Sequence, residues 1–192
     1  MTVSTDIMAV ILAGGKGERM GRVDKGALQV GNIRLIDSCI SALQPQSSQI
    51  FISGPSSYGL KIKNIPDVRE APGGPIGGLY SVRRYFRDQS IEIKGFLTIP
   101  VDCPDIPRDL SERLVSEGGS AIAVDDVGSH PTFAWWSMTD LDRVFTGKSE
   151  RPKGLKHLAR SVEARDVRWP GRTHFINFNR PDDIKSFDTP KH

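Results

Sequence analysis

Cysteine is nearly missing: Cys39 and Cys103 are the only 2 in 192 residues, with no CxxC pair and no histidine at a zinc-ligand spacing. This leaves no zinc motif and favours a reducing compartment. Long apolar runs are missing too. The strongest, Ile7 to Leu12, is too brief to span a bilayer, and no cationic segment precedes an apolar signal-type core, so a cytoplasmic protein without membrane contact is expected. There is no extended Lys/Arg run, and the formal net charge of +3 is mild, which argues against a nucleic-acid partner. Repeats, low-complexity tracts and long Pro/Gly/Ser linkers are absent, so residues 1–192 are expected to form one domain with a sizeable core. Two phosphate motifs also fail. Counting a dinucleotide fingerprint from Gly15 and Gly17 puts Met20 where the third glycine belongs, and no segment reads GxxxxGK followed by Ser or Thr.

What the chain does carry is the stretch Ile7 to Lys25, IMAVILAGGKGERMGRVDK. Its apolar start reads as a buried parallel strand that runs into a tight turn. Gly14, Gly15 and Gly17 then let the backbone approach a ligand, while Lys16, Arg19, Arg22 and Lys25 recur every three residues. That combination suits a polyphosphate. The cations at Arg83, Arg84 and Arg87 read instead as a solvated helix face.

The remaining pattern is that of an α/β protein with a mostly parallel sheet. Leu35, Ile36, Cys39, Ile40 and Leu43 share one face of a helix over 34–43, and Gln49 to Ile52 is a strand ending in Ser53-Gly54-Pro55. Glycines 73, 74, 77 and 78 lead into a helix that buries Ile76, Leu79, Val82 and Phe86. Gly95 to Val101 is a second central strand, followed by Asp102, and Pro107 is expected to start a helix through Leu110 and Leu114. Ala121 to Val124 and His130 to Trp136 read as a hairpin, an antiparallel element in the C-terminal half. Trp135 and Trp136 point to opposite sides of that strand, so one is expected in the core and the other at the surface or an interface. Thr139 is the expected N-cap of the next helix, and Leu155, Leu158 and Val162 mark another. In such a sheet the C-terminal strand ends line up along one edge and form the ligand crevice.

Taken in order, the motifs resemble those of the molybdenum cofactor guanylyltransferases, within the nucleotidyltransferase superfamily. The resemblance rests on Leu12-Ala13-Gly14-Gly15, Arg19-Met20-Gly21 and Asp24-Lys25. It continues through Gly74-Pro75-Ile76-Gly77-Gly78, Pro100 to Pro107 around Asp102, His130-Pro131-Thr132, and Asn177-Phe178-Asn179-Arg180-Pro181. Ser53 stands where the family commonly has Asn, and Arg180 where it has Thr. The resemblance implies a three-layer, Rossmann-like (GT-A-like) nucleotidyltransferase fold whose N-terminal half binds nucleotide and whose C-terminal half binds molybdopterin. It implies transfer of GMP from GTP to molybdopterin with Mg2+. Leu12, Ala13, Gly14, Gly15, Lys25, Ser53, Asp67, Gly77 and Asp102 would bind the nucleotide. Lys25, Arg19 and Asp102 would act in the reaction, with Asp102 as the metal ligand. His130, Arg151, Asn177 and Asn179 would face the pterin, and transient contacts with molybdenum-insertion and molybdoenzyme-maturation proteins are implied as well. A molybdopterin cytidylyltransferase or another nucleotidyltransferase is the alternative enzyme, and a noncatalytic nucleotide or pterin binder the alternative of a different class. For Asp67, a turn or cap carboxylate is the competing reading, as a helix cap is for the asparagines.

Overall fold

The structure is a computed structural model that describes residues 7–14, 24–103, 105–115, 118–147, 151–171, 174, 175 and 178. The N-terminal apolar run forms β1 (Met8–Leu12) in the middle of a seven-stranded sheet. It is flanked by β4 (Gln49–Ser53) and β6 (Gly95–Pro100), both parallel to it, and β5 (Lys63–Ile65) continues the parallel half beyond β4. Beyond β6 lie β8 (Ser129–Ser137), β7 (Ala121–Val124) and β9 (Arg165–Arg168). Only β8 runs against its neighbours, and β9 returns parallel to β7. A small hairpin, β2 (Gln29–Val30) with β3 (Ile33–Arg34), stands apart.

Alternation along β1 divides the core. Ala9 and Ile11 pack with α1 (Leu35–Leu43) and α3 (Leu110–Leu114) on one face. Val10 and Leu12 pack on the other face with α2 (Pro75–Asp88), α4 (Met138–Thr146) and α5 (Leu155–Ser161). Each large apolar side chain buried this way is worth roughly 1.5–3 kcal/mol against exposure. Rings add geometry: Phe86 of α2 meets Phe51 of β4 edge-on at 5.1 Å. These are the three layers and the mostly parallel sheet expected from the chain.

Because both faces are covered, Trp135 and Trp136 are both buried, at 4% and 0% exposure, one in each core. The expectation that one would reach the surface fails for that reason. Helix α4 starts at Met138 with Ser137 in the cap position, not at Thr139, because β8 runs straight into it and the Met138 amide donates to the Lys94 carbonyl. Pro107 opens a turn before α3, whose first residue is Leu110. Arg83 is not solvated either: its side chain is 12% exposed and pairs at 2.7 Å with Asp142 of α4, which Arg87 also contacts. The two helices are tied together by these charges.

Candidate functional site

Six of the seven strands end on one edge of the sheet, and β8, being reversed, begins there. The backbone past these ends is drawn tight. Ala13 donates to the Ser53 carbonyl at 2.7 Å, Gly54 to Ile65 at 3.1 Å, and Val101 to Leu12 at 3.1 Å. Gly54 has φ +153°, and a Cβ there would lie 2.8 Å from the Ala13 carbonyl carbon, so glycine is required at this crossing.

A shallow cleft opens above it, lined by Leu12, Gly14, Ser53, Asp67, Gly74, Pro75 and Gly78. Burial raises the Asp67 carboxyl above its ordinary range. Gly78 is what leaves Ser53 its room: a Cβ at position 78 would stand 2.7 Å from the Ser53 hydroxyl. Gly77, the residue singled out in the sequence, lies behind this wall, where a Cβ would overlap the Pro72 carbonyl oxygen. Gly74, Pro75 and Gly78 belong to the Gly-Pro segment picked out by the resemblance, of which only Gly77 was assigned individually to the nucleotide.

Along the same edge, Lys25 Nζ meets Asp102 Oδ2 at 2.7 Å, with the two side chains 26% and 14% exposed. Lys25 opens a one-turn 3-10 helix (Lys25–Ala27) capped by Asp24, whose carboxylate accepts from the Gly26 amide. Asp102 follows β6 by two residues, and its carbonyl accepts from the Phe178 amide at 2.7 Å. Segments distant in sequence therefore bring an ammonium and a carboxylate together beside the cleft.

Comparison with known proteins fits this geometry. The family profile described as the MobA-like NTP transferase domain matches residues 9–166. A molybdenum cofactor guanylyltransferase from Cereibacter sphaeroides is 33% identical over 187 residues, covering 93% of each chain. One from Rhizobium johnstonii is 30% identical over 190 residues, covering 93% of this chain and 90% of its own. The chain belongs to the MobA-like NTP transferase family. It is a nucleotidyltransferase by that membership. Solved structures share the fold. Molybdopterin-guanine dinucleotide biosynthesis protein A from Archaeoglobus fulgidus has a TM-score of 0.65 at 18% identity, covering 95% of this chain and 97% of its own. A Mycobacterium tuberculosis protein in complex with manganese has 0.68 at 16%, covering 95% and 97%.

In this MobA-like transferase, His130 lies at the start of β8, on the same edge as Asp102. Its Nε2 is 2.8 Å from Asp125 Oδ1, and its ring stacks at 5.0 Å on Phe175. Asp125 is 3% exposed at its side chain. Burial pushes its carboxyl up, but His130 and the amides of Gly128 and Val127 outweigh that and hold it below its usual range. His174, not singled out from sequence, meets Phe175 edge-on and lies 3.4 Å from Asp105. Arg151 packs elsewhere, over the Tyr80 ring of α2 at 5.6 Å. His130 and Arg151 thus rest on residues of opposite faces of the sheet. Cys39 and Cys103 are buried with raised thiol pKa values, Cys103 to about 12, chiefly by desolvation, so neither is a nucleophile. Gly15, Arg19, Asn177 and Asn179 lie outside the described residues. No cluster of three or more His, Cys, Asp or Glu side chains able to hold a metal occurs among the described residues. Among them, no helix is long and apolar enough to cross a membrane.

Proposed function

We propose that this transferase moves GMP from GTP to molybdopterin, or to its molybdenum-loaded form, producing the guanine dinucleotide and pyrophosphate. The observation that supports it most is the meeting of Lys25 and Asp102 beside the glycine-lined cleft at the strand ends. The names of the relatives supply the guanine and the pterin.

The terminal phosphate of the acceptor attacks the α-phosphorus in line, and the bond to the pyrophosphate oxygen breaks. A phosphate monoester is largely deprotonated near neutral pH, so the protein needs no nucleophile of its own. Its task is to hold two anions together and offset the charge that builds on the leaving group. The Lys25 ammonium meets the α-phosphate, Arg19 the β and γ groups, and amides of the loop from Gly14 and Gly15 cradle the chain. Leu12, Ala13, Ser53, Asp67 and the Gly74–Gly78 wall take the base and ribose. Asp67, whose carboxylate pairs with no cation among the described residues, can accept from a ribose hydroxyl or a guanine N–H.

Asp102 fits a divalent ion, because its Oδ2 already holds a cation, the Lys25 ammonium, at contact distance. Mg2+ is commonly bound by one or two carboxylates together with substrate phosphates, which matches a single acid here. When bound it would neutralise phosphate charge. The N-terminal half serves the nucleotide. In the C-terminal half His130, Asn177 and Asn179 serve the pterin, whereas Arg151, held over Tyr80 on the other face, is left out of that group. Both halves form one domain acting in the cytoplasm alongside molybdenum-insertion and molybdoenzyme-maturation proteins.

Pyrophosphate release with GTP, MgCl2 and molybdopterin tests the reading, with CTP and ATP as competitors for the base. Lys25→Ala is expected to lower turnover about 100-fold or more, the scale of losing one charge-stabilising group. Asp102→Asn is expected to abolish the magnesium-dependent rate. Full turnover in either variant, or a preference for CTP, refutes the corresponding assignment.

A further inference from the structure

Tyr58 belongs to none of the motifs above, yet four separate contacts fix it. It lies in the turn that follows β4, with a left-handed backbone (φ +55°) unusual for a residue that bears a side chain. Its amide donates to the Ser56 hydroxyl at 3.1 Å. Its carbonyl accepts from Arg34 at 2.9 Å, and that guanidinium is itself held by Asp37 at 2.7 Å. The phenol donates to Asp24 Oδ1 at 2.7 Å. The ring lies so close to Gly26 that a Cβ there would stand 2.5 to 2.7 Å from its outer atoms.

Asp24 and Gly26 bracket Lys25. The oxygen that receives the phenol also receives the Gly26 amide and caps the short turn from which Lys25 reaches Asp102. Hydrogen bonds to a carboxylate are the strong ones in such a chain. Burial, aided by the Asp24 charge, pushes the phenol pKa far up, so it remains a donor across the working pH range. From this geometry we infer that Tyr58 is a positioning residue for Lys25: through Asp24 and Gly26 it sets where the ammonium stands when the phosphates arrive. The inference rests on the reading of Lys25 given under Proposed function. A misplaced ammonium stabilises the transition state less while leaving the base and ribose contacts intact, so the loss falls on kcat rather than KM.

Two variants test it. Tyr58→Phe keeps the ring and removes the hydroxyl. Gly26→Ala pushes the ring aside, a small movement for the far end of a side chain, and breaks the same bond. Both are expected to lower kcat for pyrophosphate release about tenfold with KM for GTP within about twofold. Tyr58→Phe in an Asp24→Ala background is expected to add nothing, since its path runs through Asp24. A second readout needs no substrate: labelling by an amine-reactive ester, followed by peptide mass spectrometry, is expected to modify Lys25 several-fold faster in both variants than in the parent protein. Unchanged kcat with unchanged labelling, or a rise in KM with kcat retained, overturns the inference. If the parent protein shows no GTP turnover while the labelling difference persists, the failure belongs to the assigned reaction and not to the role of Tyr58.

Discussion

On the proposed reading, Lys25 and Asp102 are a cation and an anion that each leave the other when a triphosphate and a metal ion enter. Their contact at 2.7 Å on a partly buried edge keeps both side chains near their working positions. Asp125 does a different task at the same scale. Held by two backbone amides and by His130, its carboxyl titrates below the usual 3.8 of an Asp, although desolvation alone would raise it. A depressed folded pKa contributes stability that is present above the unfolded pKa and is lost as pH falls through the folded one. Asp125→Asn is therefore expected to cost about 1–2 kcal/mol at neutral pH, with the gap to the parent narrowing as pH falls below 3.8 and through the folded pKa. Urea midpoints of both proteins at pH 7 and pH 3 check it, and a gap of equal size at both would refute the charge argument. At this scale the sequence displayed Lys25, Asp102 and Ser53 plainly, since each closes or follows a recognisable apolar or glycine-rich run. It could not display Tyr58, Asp125 or His174, whose partners come from turns or from distant segments.

Elements show the same division. β1, β4 and β6 were legible because buried strands read as apolar runs closed by turn residues, and α2 because its apolar positions recur with helical spacing. β5 (KNI) and β9 (RDVR) were not, since each is an edge strand with one buried side chain. The paired tryptophans were misjudged because alternation assigns sides to a strand but does not tell whether a side is covered. The start of α2 carries a further consequence. Gly77 and Gly78 are adjacent, but one faces the Pro72 carbonyl and the other the Ser53 hydroxyl. Gly77→Ala is expected to force the loop before α2 outward and cost about 1–3 kcal/mol, the range for overpacking. Gly78→Ala is expected to keep stability within about 1 kcal/mol while turning Ser53 and raising KM for GTP several-fold. Chemical denaturation and initial rates separate the two, and an unchanged KM in Gly78→Ala would remove Ser53 from the nucleotide site.

For the whole molecule, the decisive feature is that strands from both halves present one edge, so ligands bound there bridge β4, β1 and β6 and bind only the folded state. Such binding stabilises by RT ln(1 + [L]/Kd), about 2.7 kcal/mol at 100-fold excess over Kd. In a chain of this length that amounts to a rise of roughly 5–10 °C in melting temperature. The sheet edge separates the contributions in space. On the proposed reading the cleft between Leu12 and Gly78 takes base and ribose, while Asp102 stands by the phosphates. GTP alone is expected to raise the melting temperature modestly, Mg2+ alone to leave it unchanged, and the two together to exceed their sum, because the ion binds through phosphate oxygens as well as Asp102. Asp102→Asn is expected to keep the increment of GTP alone and lose the synergy, whereas Lys25→Ala is expected to reduce the increment of GTP itself. Differential scanning fluorimetry over a grid of GTP and MgCl2 measures all three. Synergy of parental size in Asp102→Asn would place the ion elsewhere on the edge and detach the metal from β6.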